Sequence, residues 1–338
     1  MAIWRCGTVI VRDVLHGSQT IKEEVLADLI KSRPVQRLKG ATQSGFPTKG
    51  NADMFPTYTR FDHSVGVMLL LRRLGATLEE QVAGLLHDVS HTAFSHVIDW
   101  VMGDPSNESY QDSVLETYIR GSELSDILSE HGYSVARISG LEKNGNFGLL
   151  ERKIPDLCAD RIDYSLRDGH LMYKLDSDYC IRHLKVRDGE IVFDSRRAAS
   201  LFGRNYMRCQ REYWGGNEAR LRYYFISQAL KIGIRRNVIS KPDFYRSERY
   251  IISKLRGSGV EEITDSIAKG LGVLHFTLSK RQGIKLLKKL RYVDPKYVED
   301  GKERRLSEVD AAYRRLIAEE KARCHQSVKV DPDRVWTR

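Results

Sequence analysis

Residues 84–96 read GLLHDVSHTAFSH, and this stretch places three histidines and one aspartate within an otherwise apolar segment. A further histidine, His63, lies 24 residues before His87, and Asp160 follows far downstream. Imidazole and carboxylate groups are the ligands that divalent ions such as zinc, manganese, iron and nickel accept. The pattern therefore predicts a metal site and, with it, a hydrolase.

Two predicted helices, residues 63–74 and 78–90, should bring these residues together. They are joined by about three residues, so we expect them to pack antiparallel. His63 then lies at the start of one helix, beside His87 and Asp88 at the end of the next, and a later helix supplies Asp160. Two nitrogen and two oxygen ligands leave positions open for water and substrate, which is typical of a catalytic metal site.

The alternative is that each histidine is a structural residue. A single histidine in a helix is more often a hydrogen-bonded core residue than a metal ligand. Four histidines within 34 residues, one of them followed directly by aspartate, are hard to explain by packing alone. The joint pattern therefore favours the metal site.

Several segments resemble those of a known family. Residues 60–66 (RFDHSVG) together with residues 84–96 resemble the signature of HD-domain phosphohydrolases. Residues 160–168 (DRIDYSLRD) resemble the third metal-ligand segment of the deoxynucleoside triphosphate (dNTP) triphosphohydrolase branch, which includes the eukaryotic SAM-and-HD-domain enzyme. Residues 13–17 (DVLHG) and 36–38 (QRL) resemble the segments that precede the HD core in that branch. The resemblance covers about residues 8–230.

This resemblance implies a metal centre and a set of residues around the scissile phosphate. One divalent ion is expected, and manganese, iron, zinc, magnesium, cobalt and nickel all remain open. The implied catalytic residues include His96 as proton donor to the leaving oxygen, a role that suits an imidazole at neutral pH. The implied metal ligands are His63, His87, Asp88 and Asp160, and the implied catalytic residues are His91, His96 and Asp99.

The family pattern also implies contacts with a nucleotide. Arg60 and Arg161 occupy positions where the family binds phosphate, and Gln43 lies where the family holds the sugar 3′-hydroxyl. Tyr164 and Asp168 correspond to sugar contacts, and on a helix they share a face with Asp160 because their spacing is i, i+4 and i+8. Tyr213 is expected to close the pocket.

The chain departs from the family at one catalytic position. dNTP-hydrolysing members have a His-Glu pair on the helix after the HD segment, whereas this chain has Asn107 and Glu108. The acid is retained but the histidine is missing. The loop 44–59 also differs from the glycine-rich version of the family. Phosphoester hydrolysis is therefore better supported than any particular substrate.

Composition limits the partners and the compartment. The net charge of +10 favours anionic partners, namely a nucleotide or another phosphate ester and, through the basic surface, nucleic acid. No apolar run is long enough to predict a membrane helix, and the N-terminus does not read as a secretory signal. Five scattered cysteines favour a reducing compartment, so a cytoplasmic or nuclear location is expected. The resemblance favours a homodimer or homotetramer.

Hydrophobic periodicity predicts a mainly α fold with a small β-hairpin and a mixed α/β C-terminal part, and the family resemblance implies that the helices form an HD-domain helical bundle. Residues 1–235 are expected to form the phosphohydrolase core, and residues 236–338 an extension packed on it. Thr77 and Glu80 predict a capping box, Asp188-Gly189 predicts the hairpin turn, and Gly169 predicts a helix end. The remaining predictions are a loop at 40–59 and helices at 92–102, 155–168, 196–236 and 305–323.

Three functions follow from these observations. The first is hydrolysis of a dNTP to deoxynucleoside and tripolyphosphate, or of another nucleotide or phosphate ester. The second is a di-iron oxygenase of the same fold, which needs further histidine ligands. His131 is the only histidine between His96 and Asp160, so this function is disfavoured. The third is a non-catalytic nucleic-acid-binding or scaffold protein.

Overall fold

The structure is a computed structural model that describes residues 7–46, 58–140, 147–272, 274–279, 282–286, 288–326 and 328–337. Residues 47–57, the greater part of the predicted loop 40–59, lie outside these ranges. Helices dominate the described residues and the strands form small sheets, so the mainly α prediction is confirmed. No helix in these ranges is both long and apolar enough to cross a membrane.

The N-terminal half begins with an antiparallel hairpin and continues with helices. The hairpin pairs β1 (Val9–Asp13) with β2 (Gly17–Ile21). The helices that follow are α1 (Glu24–Lys31), α2 (Arg33–Arg37), α3 (Arg60–Arg73), α4 (Leu78–Leu86), α5 (Asp99–Met102), α6 (Tyr110–Arg120), α7 (Leu124–Glu130), α8 (Val135–Ser139), α9 (Ala159–Tyr173) and α10 (Ser177–Arg182).

The C-terminal half mixes helices with two sheets. The predicted hairpin is confirmed, and its second strand pairs in parallel with a later strand to give the order β3-β4-β7-β8, while β9 lies between β5 and β6. The elements are β3 (Leu184–Arg187), β4 (Glu190–Phe193), α11 (Arg196–Cys209), α12 (Asn217–Arg235), α13 (Glu248–Gly257), α14 (Glu261–Leu271), β5 (Leu274–Ser279), β6 (Ile284–Leu286), β7 (Lys296–Glu299), β8 (Lys302–Arg305), α15 (Leu306–Val309), α16 (Ala311–His325) and β9 (Val328–Thr337).

The helix pair α3 and α4 forms the centre of the fold, and threonine caps define both of its N-termini. Helix α3 has a full capping box, because Asp62 N–H donates to Thr59 Oγ1 (3.3 Å) and Thr59 N–H donates to Asp62 Oδ2 (2.8 Å). Helix α4 has only half of the predicted box. Thr77 Oγ1 accepts from Glu80 N–H (3.2 Å), but the Glu80 carboxylate instead accepts from the N–H groups of residues 149 and 150.

Helix α9 starts later and ends later than predicted. The prediction that Pro155 opens it is wrong, because the Pro155 carbonyl accepts from Asp294 N–H (3.0 Å) and the helix begins only at Ala159. The prediction that it stops before Gly169 is also wrong. A Cβ at Gly169 would lie 2.3 Å from Asn205 Nδ2, so this glycine allows α11 to approach closely and does not end the helix.

Two predicted helices are interrupted. The helix predicted over 92–102 is a turn followed by a 3₁₀ segment at Ser95–Ile98 and then α5, because Phe94 and Ser95 have φ of 66° and 46°. The helix predicted over 196–236 is broken by a π-helical turn at Gln210–Trp214, followed by two glycines. Both interruptions face the site described below.

The cores of the two halves are shared. Tyr297 and Tyr313 from the C-terminal part are buried in the same apolar cluster as α3 and α4. A second cluster joins Leu230 of α12 to Leu255 of α13 and Ile267 of α14. Residues beyond 235 therefore pack on the helices that precede them.

Candidate metal centre

Four side chains converge between α3, α4 and α9. His63 Nε2 lies 2.9 Å from Asp160 Oδ1 and 3.7 Å from Asp88 Oδ2. His87 Nε2 lies 3.5 Å from Asp160 Oδ1 and 3.6 Å from Asp88 Oδ1. Two ligand atoms that each lie about 2.1 Å from the same ion are separated from each other by distances comparable to these four. The geometry therefore suits a metal ion held by His63, His87 and Asp160, whose ligand atoms all lie within 4.8 Å of one another, with the Asp88 carboxylate beside both histidines.

The orientations of both histidines also suit metal binding. His87 Nδ1 lies 2.7 Å from the carbonyl oxygen of Gly84, so Nδ1 carries the hydrogen and Nε2 points into the cluster. Among the described residues, His87 Nε2 is buried and has no hydrogen-bond partner. His63 Nδ1 pairs with Asp163 Oδ2 (2.8 Å), which leaves His63 Nε2 facing the same point. Carboxylate and carbonyl partners of this kind set the tautomer of metal-binding histidines.

The electrostatics of the cluster favour a cation. Burial alone would lower the pKa of His87, but the Asp88 and Asp160 carboxylates raise it to about 10. Burial alone would raise the pKa of Asp160, but the hydrogen bond with His63 and the nearby His87 imidazole hold it well below its usual range. The two carboxylates thus remain ionised and attract positive charge. A divalent ion can take the place of the proton on His87.

A cavity lined by Arg60 and His96 adjoins this cluster. Arg60 Nη1 donates to Asp88 Oδ2 (2.6 Å), Arg60 Nε donates to Ser95 Oγ (3.0 Å), and the buried guanidinium lines a cavity next to the metal ligands. His96 lines the same cavity, and its Nδ1 lies 3.6 Å from Asp99 Oδ2. Asp99 Oδ1 accepts from Tyr110 N–H (2.9 Å). Arg60 and His96 can therefore both reach an anion in the cavity.

The His91 side chain is more deeply buried than that of His96. Its Nε2 lies 3.2 Å from Asp88 Oδ1, and its ring packs edge-on against His96 with centroids 5.0 Å apart. Burial lowers the pKa of His91 to about 3, and burial also lowers the pKa of His96. Both imidazoles are therefore neutral at pH 7 in the free protein. In this geometry His91 orients Asp88 and His96, and of the two only His96 faces the cavity.

The residues that the sequence predicts as sugar contacts line the same cavity. Gln43, Tyr164, Asp168 and Tyr213 all contribute to its wall. Asp168 Oδ2 accepts from Trp214 Nε1 (2.7 Å), and burial raises the pKa of Asp168 to about 7. Within the described part of the chain, Asp168 Oδ1 and Gln43 Oε1 are buried without a hydrogen-bond partner. These two oxygens can accept hydrogen bonds from the hydroxyl groups of a ligand.

Arg161 is not brought to the cavity. Its guanidinium donates to the carbonyl oxygens of Asp156 (2.6 Å) and Arg152 (3.0 Å) and lies outside the cavity wall formed by the described residues. In this position Arg161 stabilises the loop that precedes α9 by hydrogen bonds to its backbone. This position could not be predicted from the sequence, because an arginine beside Asp160 has the same sequence pattern whether it binds phosphate or backbone carbonyls.

Sequence reasoning missed four residues at the site. Three of them, Trp214, Arg220 and Arg291, line the cavity together with Glu108, the acid of the predicted His-Glu position. The fourth is Glu151, which lies near Asp160, and burial raises the pKa of Glu151 to about 8. Arg291 belongs to the basic run near residue 290, which by composition resembles a solvated surface. The sequence did contain one indication of a distant basic partner: Glu108 has no lysine or arginine close to it along the chain.

Comparison with known proteins places this arrangement in a family. The HD domain model matches residues 60–166. The uncharacterized protein YdhJ of Bacillus subtilis is 38% identical over 313 residues, which are 90% of this chain and 94% of YdhJ. The metal-dependent phosphohydrolase cns2 of Cordyceps militaris is 36% identical over 227 residues, 64% of each chain. The SAMHD1 homolog of Dictyostelium discoideum, a deoxynucleoside triphosphate triphosphohydrolase, is 25% identical over 59% of this chain and 44% of its own length.

Solved structures show the same fold over nearly the whole chain. A phosphohydrolase from Bacteroides thetaiotaomicron superposes with a TM-score of 0.67 at 18% identity, covering 90% of this chain and 95% of its own. A hypothetical protein from Aquifex aeolicus superposes with a TM-score of 0.66 at 20% identity, covering 98% and 96%. With its His/Asp cluster, the chain belongs to the HD-domain family of metal-dependent phosphohydrolases, resembles the dNTP triphosphohydrolase branch, and takes a divalent metal ion as cofactor.

Proposed function

We propose that the protein hydrolyses the ester bond between a nucleoside and its first phosphate, with a dNTP as substrate and deoxynucleoside and tripolyphosphate as products. The observation that carries the proposal is the layout of one helix. Helix α9 contributes Asp160 to the metal cluster and, on the same face one and two turns further along, Tyr164 and Asp168 to the wall of the cavity. A molecule with a phosphate at one end and hydroxyl groups at the other matches this layout.

The metal ligands would be His63, His87, Asp88 and Asp160. A divalent ion bound there supplies a Lewis acid and lowers the pKa of water near the phosphate. Arg60 holds the non-bridging oxygens of the phosphate through its guanidinium. Gln43 and Asp168 accept hydrogen bonds from the sugar, which fixes the phosphorus next to the cluster. Water attacks phosphorus, the P–O bond to the sugar breaks, and the sugar oxygen needs a proton.

His96 donates that proton. Burial lowers the pKa of His96 in the free protein, so it is neutral before substrate binds. A bound phosphate raises the pKa of a nearby imidazole, because negative charge favours the protonated form. His96 therefore takes up its proton together with the substrate. Asp99 Oδ2, 3.6 Å from His96 Nδ1, steadies the imidazolium that results.

A second candidate substrate is a nucleoside monophosphate or another phosphomonoester. One observation favours it: Arg161, which the family pattern assigns to the phosphates, is held by two backbone carbonyls. The histidine of the His-Glu pair is also replaced by Asn107. Both changes remove groups that a long phosphate chain would use. The bond that is cleaved is the same, but orthophosphate is released.

The test is a product analysis. Purified protein loaded with Mn, Fe, Zn, Mg, Co or Ni is incubated with dNTPs, NTPs and nucleoside monophosphates, and the released phosphates are separated by ion chromatography. Tripolyphosphate supports the first candidate, and orthophosphate from a monophosphate supports the second. His87→Ala should abolish activity, whereas the control His183→Ala, at a half-exposed histidine paired with Asp194, should not. Turnover by neither class of nucleotide with any metal contradicts the proposal, as does wild-type activity in His87→Ala.

Association with nucleic acid and assembly into a homodimer or homotetramer remain predictions. The net charge of +10 supports the first, and the likeness to the SAMHD1 relatives prompts the second. Light scattering in the presence and absence of metal and nucleotide measures the assembly. Salt-dependent binding of a DNA or RNA oligonucleotide measures the association.

A further inference from the structure

Three charged residues from distant parts of the chain meet at one end of the cavity. Glu108 lies just before α6, Arg220 lies on α12, and Arg291 lies in the segment between β6 and β7. Arg220 Nη1 donates to Glu108 Oε1 (2.6 Å), and Arg291 Nη2 donates to Glu108 Oε2. All three line the cavity together with Arg60 and His96. The cluster therefore adjoins the place where a phosphate would lie.

Two guanidinium groups share one buried carboxylate in this cluster. The Glu108 side chain is 0% exposed and pairs both with Arg220 (2% exposed) and with Arg291 (17% exposed). Arg60 pairs with Asp88. Arg291 is therefore a buried positive charge that shares its carboxylate with a second guanidinium. Burying such a charge is costly unless anions accompany it, which favours an anionic ligand beside Arg291.

Arg291 is held in place by contacts along its segment. Gln210 Nε2 donates to the Lys289 carbonyl (3.1 Å), and Tyr313 Oη donates to the Val293 carbonyl (2.7 Å). Asp294 N–H donates to the Pro155 carbonyl (3.0 Å). The backbone on both sides of Arg291 is therefore anchored to α9, α11 and α16 or their approaches. A guanidinium fixed in this way loses little freedom when it binds a ligand.

Glu108 is the residue that holds the two arginines of this cluster together. It is the acid that remains from the His-Glu pair of the family, and the residue before it is Asn107. Asparagine stands in place of that histidine, and the Glu108 carboxylate pairs with Arg291 through one oxygen and with Arg220 through the other. A guanidinium presents a planar fork of donors that matches phosphate oxygens.

We propose that Arg291 binds the substrate phosphate directly, that Glu108 and Arg220 position it, and that it replaces the histidine missing at position 107. The inference rests on the proposed function for the identity of the substrate, but the binding of phosphate does not require turnover. It places a substrate-binding residue of this HD-domain protein in the C-terminal third of the chain, far outside residues 60–166. The ligand class is a phosphate mono- or dianion, free or esterified.

The experiment measures binding of orthophosphate to the metal-loaded protein by calorimetry, and KM and kcat for a hydrolysed nucleotide. Arg291→Gln should weaken orthophosphate binding roughly 10- to 100-fold, since a charge-assisted hydrogen bond is lost. It should raise KM and leave binding of the unphosphorylated nucleoside unchanged. The matched control is Arg304→Gln, at an exposed arginine of β8, which should bind orthophosphate like the wild type.

A structural role for Arg291 gives a different result. If Arg291→Gln lowers thermal stability but leaves orthophosphate binding and KM unchanged, the residue is only a link between the C-terminal segment and the core, and the proposal is wrong. Should Arg291→Gln fail to fold, Arg291→Lys keeps the charge opposite Glu108 but loses the fork. Weaker orthophosphate binding by the lysine variant supports the proposal, and wild-type binding overturns it. If the wild type binds orthophosphate through Arg291 but hydrolyses no nucleotide, the proposed function fails and this inference stands.

Discussion

At the scale of single residues, the position of His63 depends on a buried chain of charges behind it. Asp163 Oδ2 pairs with His63 Nδ1 (2.8 Å) and accepts from Arg167 Nε (2.7 Å). Arg167 Nη2 also donates to Asp13 Oδ2 (2.5 Å) at the N-terminal hairpin. All these side chains are almost fully buried, so each needs the next one as its partner. The His63 imidazole, which we propose as a metal ligand, is therefore oriented by residues that lie outside the metal cluster.

Replacing Gly66 by alanine should disrupt this chain. A Cβ at Gly66 would lie 1.8 Å from Arg167 Nη2 and 2.3 Å from Asp163 Oδ1, so the ion pair behind His63 must move. We expect roughly 10- to 100-fold weaker metal binding, as is usual when the partner of a metal-binding histidine is disturbed, and a lower free energy of unfolding. Isothermal titration with metal and denaturant unfolding measure the two effects.

The control for this variant is Gly257→Ala at the end of α13. In the part of the chain that the structure describes, a Cβ there meets nothing within 4 Å, so metal binding should stay unchanged. Wild-type metal affinity and stability in Gly66→Ala would mean that Arg167 and Asp163 can shift without moving His63.

Glu248 gives a pH-dependent prediction. Its Oε1 accepts from Thr42 N–H (2.9 Å), Thr42 Oγ1 (2.9 Å) and Phe94 N–H (3.1 Å), and burial raises its pKa to about 7. Because the pKa in the folded state lies above that in the unfolded state, the protonated form stabilises the fold at low pH. That stability is lost as pH rises from about 4.5 towards about 7.

Glu248→Gln cannot ionise, and its amide oxygen can accept the same three hydrogen bonds. Relative to the wild type, the variant should therefore gain free energy of unfolding between pH 5.5 and 8, on the order of 2 kcal/mol. Urea unfolding at several pH values, with constant metal, measures the difference. Glu130→Gln, at an exposed position, serves as the control and should differ from the wild type by a constant amount. A difference for Glu248→Gln that does not change with pH would contradict the assigned shift.

At the scale of elements, helix ends and interruptions position the chemistry. Arg60 and His63 lie in the first turn of α3, His87 directly follows α4, and Asp160 lies in the first turn of α9. His96 belongs to the 3₁₀ segment that begins at Ser95, where Phe94 and Ser95 both have positive φ, and Tyr213 lies in the π-helical turn. Local departures from α-helical geometry are frequent at functional sites because they redirect side chains.

The caps of α3 and α4 should have separable effects. Thr59→Ala and Thr77→Ala each remove a side-chain acceptor at a helix N-terminus, so each should cost about 1 kcal/mol of stability. Only Thr59→Ala should also weaken metal binding, because the turn that it loosens carries Arg60 and His63. Thr77 caps the end of α4 opposite to His87. Thermal unfolding and metal titration of both variants measure this contrast, and equal metal affinities would argue against it.

At the scale of the whole molecule, the C-terminal part completes both the core and the cavity. Val293, Tyr297 and Tyr313 are buried with the N-terminal helices, and Arg291 reaches the cavity wall. The family model ends at residue 166, so much of what surrounds the site comes from beyond the region that identifies the family. The boundary predicted at residue 235 stays a prediction.

A chain ending at Arg235 should therefore fold poorly. It would expose Ile226 and Leu230 of α12, which are buried against α13 and α14, and it would lack Arg291. Several buried aliphatic side chains left in water cost about 1.5–3 kcal/mol each, which is a large part of the stability of a typical domain. Circular dichroism during thermal unfolding should show no cooperative transition. A cooperative transition together with wild-type metal affinity would show that residues 1–235 are an autonomous domain.

By itself, the sequence determined the mainly helical class, the hairpin at Asp188-Gly189 and the helix pair α3 and α4, although it placed the start of α3 at residue 63 and not at Arg60. It also predicted the set of imidazoles and carboxylates that would bind the metal. These features depend on residue type and short spacing, which act through local backbone preferences and the geometry of a helix pair. The spacing of Asp160, Tyr164 and Asp168 likewise determines that these three side chains share one face of α9.

Only the tertiary structure decided which charged side chains face the cavity. Arg161 lies beside a metal ligand in sequence but is held by backbone carbonyls, whereas Arg291 pairs with Glu108 across 183 positions. The raised pKa values of Asp168 and Glu248 also arise from burial among distant segments. The physical reason is that desolvation and ion pairing depend on which surfaces meet after folding, and no local pattern encodes that meeting.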